Sequence, residues 1–129
     1  MRLLLDTHVY LWVLADSPRL SAKARALIET AEEVYVSAAS IWEACIKIEL
    51  GRLAVDPEGL VRGIAESGFV ELPVLARHTT EVARLPSIHR DPFDRLLVAQ
   101  ALADSLRLLT ADLQLAAYSD QVTVVDRGS

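Results

Sequence analysis

Apolar runs of only three to five residues recur along this chain, and the stretches between them carry helical patterning. A short continuous apolar run reads as a strand buried on both faces. Such runs occur at Arg2–Leu5, Val34–Val36, Phe69–Leu72, Arg107–Leu109 and Val122–Val125. Strands alternating with helices in this way imply a mostly parallel sheet covered by helices on both sides. The predicted fold class is therefore α/β, a single domain spanning residues 1–129 with a five-stranded sheet.

The helices are marked by their ends. One is predicted over His8–Ala15, and Ser21 caps a second that reaches about Ala31. Ile41, Ala44, Cys45 and Ile48 share one face of a helix over Ile41–Leu50, which Gly51 ends. Asp56-Pro57 starts a helix to about Ser67, and Asp91-Pro92 starts another to about Ser105. Shorter helices are predicted at Thr80–Leu85 and Leu113–Ala117, with Pro86–Arg90 irregular between elements. In open parallel sheets the functional crevice lies beyond the carboxyl ends of the strands. The polar residues at those ends are the ones to examine.

Four acids stand there. Asp6 follows the first strand, and Glu43 is expected in the first turn of the helix after the second strand. Asp94 lies in the first turn of the Asp91-Pro92 helix, and Asp112 follows the fourth strand. Each has a local explanation. Ser40 and Glu43 have the spacing of a capping box, and Asp6, Asp91 and Asp112 can each cap the helix that follows. Capping does not explain why acids from four separate segments can meet on one rim. Clustered carboxylates repel, raise one another's pKa and destabilise a fold unless a cation neutralises them. Hard divalent ions such as Mg²⁺ or Mn²⁺ suit carboxylate oxygens and substrate phosphate.

The net charge of −5 points the same way. A protein that grips nucleic acid by phosphate neutralisation alone carries a basic surplus, so any such role here relies on bound cations or a local basic rim. The single cysteine, Cys45, excludes an internal disulfide and fits the reducing cytoplasm. The apolar runs are too short for a membrane span or a secretory signal.

Four blocks carry a resemblance: LLLDTHVYLW, VSAASIWEACIKIELGRL, HRDPFDRLLVAQAL and LLTAD, in that order. Through them the chain resembles the PIN-domain nucleases, specifically the VapC-like toxins of type II toxin–antitoxin systems. The resemblance implies a five-stranded parallel sheet and a metal set of Asp6, Glu43, Asp94 and Asp112, which are then also the catalytic residues. It further implies Mg²⁺- or Mn²⁺-dependent endonucleolytic cleavage of RNA by metal-activated water. A cognate antitoxin occupying the active-site groove and a homodimeric state are implied as well. Many relatives carry a further acid shortly after the last motif. Here Leu113, Gln114 and Leu115 stand there, so Asp112 supplies the fourth carboxylate. Asp91 competes with Asp94 as ligand, but the proline after it favours capping.

Other residues have two readings. Thr7, Ser40 and Thr110 stand beside the acids and can orient ligand oxygens, or cap locally. Lys47 either pairs with Glu43 four residues earlier or contacts phosphate. Arg90 and Arg95 flank the Asp94 motif as phosphate contacts, with Arg95 alternatively paired to Asp91. Trp12 and Trp42 are expected in the core or a dimer contact, Cys45 as inert packing, and none of His8, His78 and His89 is assigned to catalysis. A phosphatase using Asp6 as nucleophile needs a second Asp two residues on, where this chain has His8. A catalytically silent binding module and a nuclease acting on DNA remain the alternatives.

Overall fold

The computed structural model describes residues 1–125. In chain order it contains β1 (Arg2–Leu5), α1 (Thr7–Leu14), α2 (Ala22–Thr30), β2 (Glu33–Ser37), α3 (Ala38–Glu49) and α4 (Pro57–Glu66). There follow β3 (Val70–Leu72), α5 (Ala76–Arg84), α6 (Pro92–Ala103), β4 (Arg107–Thr110), a 3-10 helix (Leu113–Tyr118) and β5 (Val122–Val124). Among these residues no helix is long and apolar enough to cross a membrane.

The sheet order is β3-β2-β1-β4-β5, and every neighbouring pair is parallel. Leu3, Leu4 and Leu5 are wholly buried, because successive side chains point to opposite faces and both faces are covered. Leu3 and Leu5 join Val9, Tyr10, Trp12, Val36, Ile64 and Leu109 in one cluster. Leu4 joins Leu97, Val98, Leu106, Leu108 and Leu115 in the other. Burying each such leucine contributes about 2 kcal/mol, which is why a four-residue strand suffices as the centre of the sheet.

Strand order reverses at β1. The chain builds β2 and β3 on one side of it, then returns to place β4 and β5 on the other. Leu5 lies opposite both Val36 and Leu109. The residues just past β1 and at the end of β4 therefore meet, and the Asp6 amide donates to the Leu109 carbonyl at 3.0 Å. That reversal leaves a crevice between the two connections.

Most element bounds differ from the sequence reading by a residue or two, and three differences have a clear physical reason. Helix α3 begins at Ala38, because the Ser37 hydroxyl caps it by accepting from the Ala39 amide. Glu43 is thus in the second turn, and the Ser40–Glu43 capping box does not form. Helix α5 begins at Ala76, four residues before the expected Thr80. Its first turn is held by His78, whose Nδ1 accepts from the Leu75 amide while Nε2 pairs with Asp104 of the α6 end. Phe69 lies outside β3 and packs against the first core cluster.

Candidate metal centre

Asp6 is buried at the end of β1 and caps α1, with Oδ1 accepting from the Val9 amide at 2.8 Å. Its Oδ2 accepts a short hydrogen bond from the Thr110 hydroxyl, which the β1–β4 register brings alongside. Burial holds the Asp6 carboxyl above the ordinary carboxylate range, and the Glu43 charge adds to this. The bonds from Thr110 and Val9, with the His8 ring, act in the opposite sense without prevailing.

Glu43 is buried on α3, where Oε1 accepts from the Thr7 hydroxyl at 2.6 Å. Its Oε2 lies 3.7 Å from Lys47 Nζ, one helical turn on. Lys47 in turn reaches Nε2 of the exposed His8 at 3.1 Å. Lys47 therefore pairs with Glu43 as the local reading holds, and also crosses to α1.

Asp94 sits in the first turn of α6, with its side chain 22% exposed. Its carboxyl is pushed up to about 7, first by burial and then by the charges of Asp91, Asp6 and Glu43, with His89 opposing. Asp91 is the N-cap, its Oδ1 accepting from the Phe93 and Asp94 amides at 2.8 and 3.2 Å. That oxygen is committed to the helix.

Asp112 follows β4 and caps the 3-10 helix through Oδ1, which accepts from the Gln114 amide at 3.0 Å. Its own amide donates to Thr110 Oγ1, so one hydroxyl links Asp6 to Asp112. Asp6, Asp94 and Asp112 line a cleft of about 410 Å³ with His8, Trp12 and Gln114. Glu43 does not line it but stands close enough to shift Asp6 and Asp94. His89, Asp94 and Asp112 each place one donor atom within 4.8 Å of the others. The four acids come from the end of β1, α3, α6 and the turn after β4, and two of them, Asp6 and Asp112, double as helix caps. Capping and convergence coexist.

The donors suit a hard divalent cation. Carboxylate oxygens predominate, and the proton that Asp94 retains near neutrality is one a cation can replace.

Residues 3–121 match the profile of the PIN domain. The chain belongs to the PIN-domain family. Ribonuclease VapC22 of Mycobacterium tuberculosis is 35% identical over 117 residues, covering 89% of this chain and 90% of that protein. VapBC2 from Rickettsia felis, solved bound to a DNA fragment from its promoter, superposes with a TM-score of 0.68. That match spans 98% of this chain and 99% of the other at 12% identity. A toxin–antitoxin complex from Klebsiella pneumoniae gives a TM-score of 0.66 at 17% identity, over 94% and 95% of the two chains. At these identities the two structures speak to the fold, which is that of this PIN domain.

Some supporting residues fall elsewhere than the sequence suggests. Arg95 neither pairs with Asp91 nor faces the cleft as a free cation. Its guanidinium donates to the Pro86 and Val82 carbonyls and to the Tyr118 hydroxyl, tying down the irregular segment before α6. Arg90 is exposed. Ser40 is buried, and its hydroxyl has no hydrogen-bond partner among the described residues. Trp12 is core, whereas Trp42 is 63% exposed and meets the edge of Phe93 at 5.3 Å between centroids. The residue the sequence reading passed over is His89, whose Nε2 lies 3.0 Å from Asp112 Oδ2. No spacing rule finds a partner 23 residues away.

Proposed function

We propose that this PIN protein is a divalent-cation-dependent endoribonuclease and the toxin of a toxin–antitoxin pair, working in the cytoplasm. The observation that carries the nuclease reading is the meeting of Asp6, Asp94 and Asp112 in one cleft, with Glu43 close behind them, at the strand-order reversal. The ribonuclease name of the 35% identical relative supports RNA as substrate.

Asp6, Asp94 and Asp112 would hold Mg²⁺ or Mn²⁺, with Glu43 as the fourth acid behind them. A cation bound there supplies Lewis acidity, making water a competent nucleophile near neutral pH and neutralising charge on the phosphate. The chain's own part is orientation. Thr110 fixes the Asp6 carboxylate, Thr7 fixes Glu43, and Lys47 offsets one negative charge beside the cleft. Asp94, whose carboxyl is pushed up to about 7 by burial and the neighbouring acids without a cation, would give up its proton when a cation binds. Exclusion of bulk water is partial, since the cleft opens past the Asp112 side chain, 36% exposed.

An antitoxin partner is supported by an apolar groove of about 670 Å³ that shares His8 and Trp12 with the acidic cleft. Leu11, Leu14, Leu53, Val55 and Leu60 line it, together with the basic Arg19, Arg52 and Lys47. A homodimer is supported by the exposed Trp42 with its Phe93 neighbour.

Single-stranded RNA and DNA of the same sequence, incubated with Mn²⁺ and with chelator, test the reading. RNA cut only with Mn²⁺, leaving 5′-phosphate and 3′-hydroxyl ends, is expected. Products ending in 2′,3′-cyclic phosphate would refute water as the nucleophile, and cleavage of DNA alone would refute the substrate.

A further inference from the structure

The irregular segment between α5 and α6 brings a side chain, His89, against two acids of the cleft, Asp112 and Asp94, a contact that neither strand order nor acid spacing anticipates. His89 Nδ1 lies 3.0 Å from the backbone amide of Asp91. A backbone N–H can only donate, so Nδ1 presents its lone pair and the ring proton of neutral His89 sits on Nε2. Nε2 then donates to Asp112 Oδ2 at 3.0 Å, with Asp94 Oδ2 farther off at 3.7 Å. The backbone that carries the ring is held as well. The His89 amide donates to the Tyr118 hydroxyl at 2.8 Å, and Tyr118 also accepts from Arg95.

We infer that His89 is a positioning residue for the Asp112 carboxylate and not itself a metal ligand. The inference rests on reading the cleft as a cation site. Asp112 otherwise sits on a short 3-10 helix, with only its Oδ1 tied down, to the Gln114 amide. The His89 bond to Oδ2 fixes the remaining torsion. Each oxygen has two lone pairs and spends one on a hydrogen bond, so one on each remains for a cation. Direct ligation by Nε2 would move the ring proton to Nδ1, against the Asp91 amide. Two donors would then face each other, and the bond that orients the ring would be lost. A histidine that ligates metal normally donates its second N–H to an acceptor; here the second nitrogen faces a donor.

The test uses the full chain. Nitrogen-15 NMR of the histidine ring, without metal and with Mg²⁺ added, is expected to show the proton on Nε2 in both states. A proton on Nδ1 after Mg²⁺ addition overturns the inference. In parallel, Mn²⁺ affinity is read from the electron paramagnetic resonance of the free ion. His89→Ala is expected to weaken Mn²⁺ binding about 10- to 100-fold, the usual effect of losing a group that orients a ligand. His89→Gln, whose amide N–H reaches about where Nε2 lies, is expected to restore most of it. Equal loss in both variants identifies a ligand and overturns the inference, as does undiminished binding in His89→Ala. If His89→Ala does not fold, the Gln variant and the ring tautomer decide. Wild-type protein that binds no Mn²⁺ removes the cation reading itself, which is distinct from binding that ignores His89.

Discussion

Replacing Asp94 by Asn makes the cation-free protein more stable at alkaline pH, although the substitution removes a residue of the cleft. The folded protein holds the Asp94 proton up to about 7, whereas an unperturbed carboxyl releases it near 3.8. Between those values the folded state binds more protons than the unfolded chain, so stability falls as pH rises through the interval and stays low above it. The interval corresponds to at most about 4 kcal/mol. A side chain that keeps 22% of its surface in contact with solvent is screened, and about 1–2 kcal/mol is the realistic share. Asp94 also stands in the first turn of α6, where a negative charge gains about 0.3–1 kcal/mol from the helix dipole, and Asn forfeits this. The net expectation is a gain of about 1 kcal/mol for Asp94→Asn at about pH 8 in chelator, vanishing near pH 4. Urea unfolding of both proteins, followed by tryptophan fluorescence across that pH range, measures it. With Mn²⁺ the order reverses, because the wild type gains the free energy of cation binding and the variant gains less. A wild type that stays the more stable at pH 8 in chelator, or a difference independent of pH, would refute the argument from burial and repulsion and leave Asp94 as a helix-terminus charge.

Asp6→Asn is expected to reduce RNA cleavage by several orders of magnitude. The amide still caps α1, so its melting temperature in chelator should equal or exceed that of the wild type; a collapse in stability would mark Asp6 as structural. Asp104→Asn should cost about 2 kcal/mol in urea unfolding near neutral pH, because it unties Arg77 and the buried His78 from the end of α6. Although burial alone would raise it, Arg77 and His78 together hold the Asp104 carboxyl below the ordinary range. Its contribution is therefore present above about pH 4 and lost as pH falls through the lowered value, so the two proteins should converge in acid. Gly63→Ala would put a methyl 2.8 Å from a Leu14 methyl and 2.9 Å from the Tyr10 hydroxyl. That hydroxyl is committed to the Leu60 carbonyl at 2.6 Å, so a loss of about 1–3 kcal/mol in thermal or urea unfolding is expected.

Much of this protein is legible in local pattern. Leu3-Leu4-Leu5 reads as a strand buried on both faces and Asp91-Pro92 as a helix start, and both hold, because both signals act over a few residues. Position after strands and at helix starts singles out Asp6, Glu43, Asp94 and Asp112, and the likeness of four spaced motifs to one family points to the same four. Tertiary structure decided the rest. Ser37 and Ser40 are both competent caps, and the chain caps at Ser37, the last residue of β2, which sends Glu43 into the second turn. Helix α5 starts at Ala76 because His78, polar and unremarkable in sequence, is buried against Asp104 from another helix. His89 finds Asp112 across 23 residues by the same route. Periodicity and capping report the free energy of neighbours along the chain. Which distant polar groups satisfy one another is decided only when the sheet register and helix packing bring them within hydrogen-bond reach.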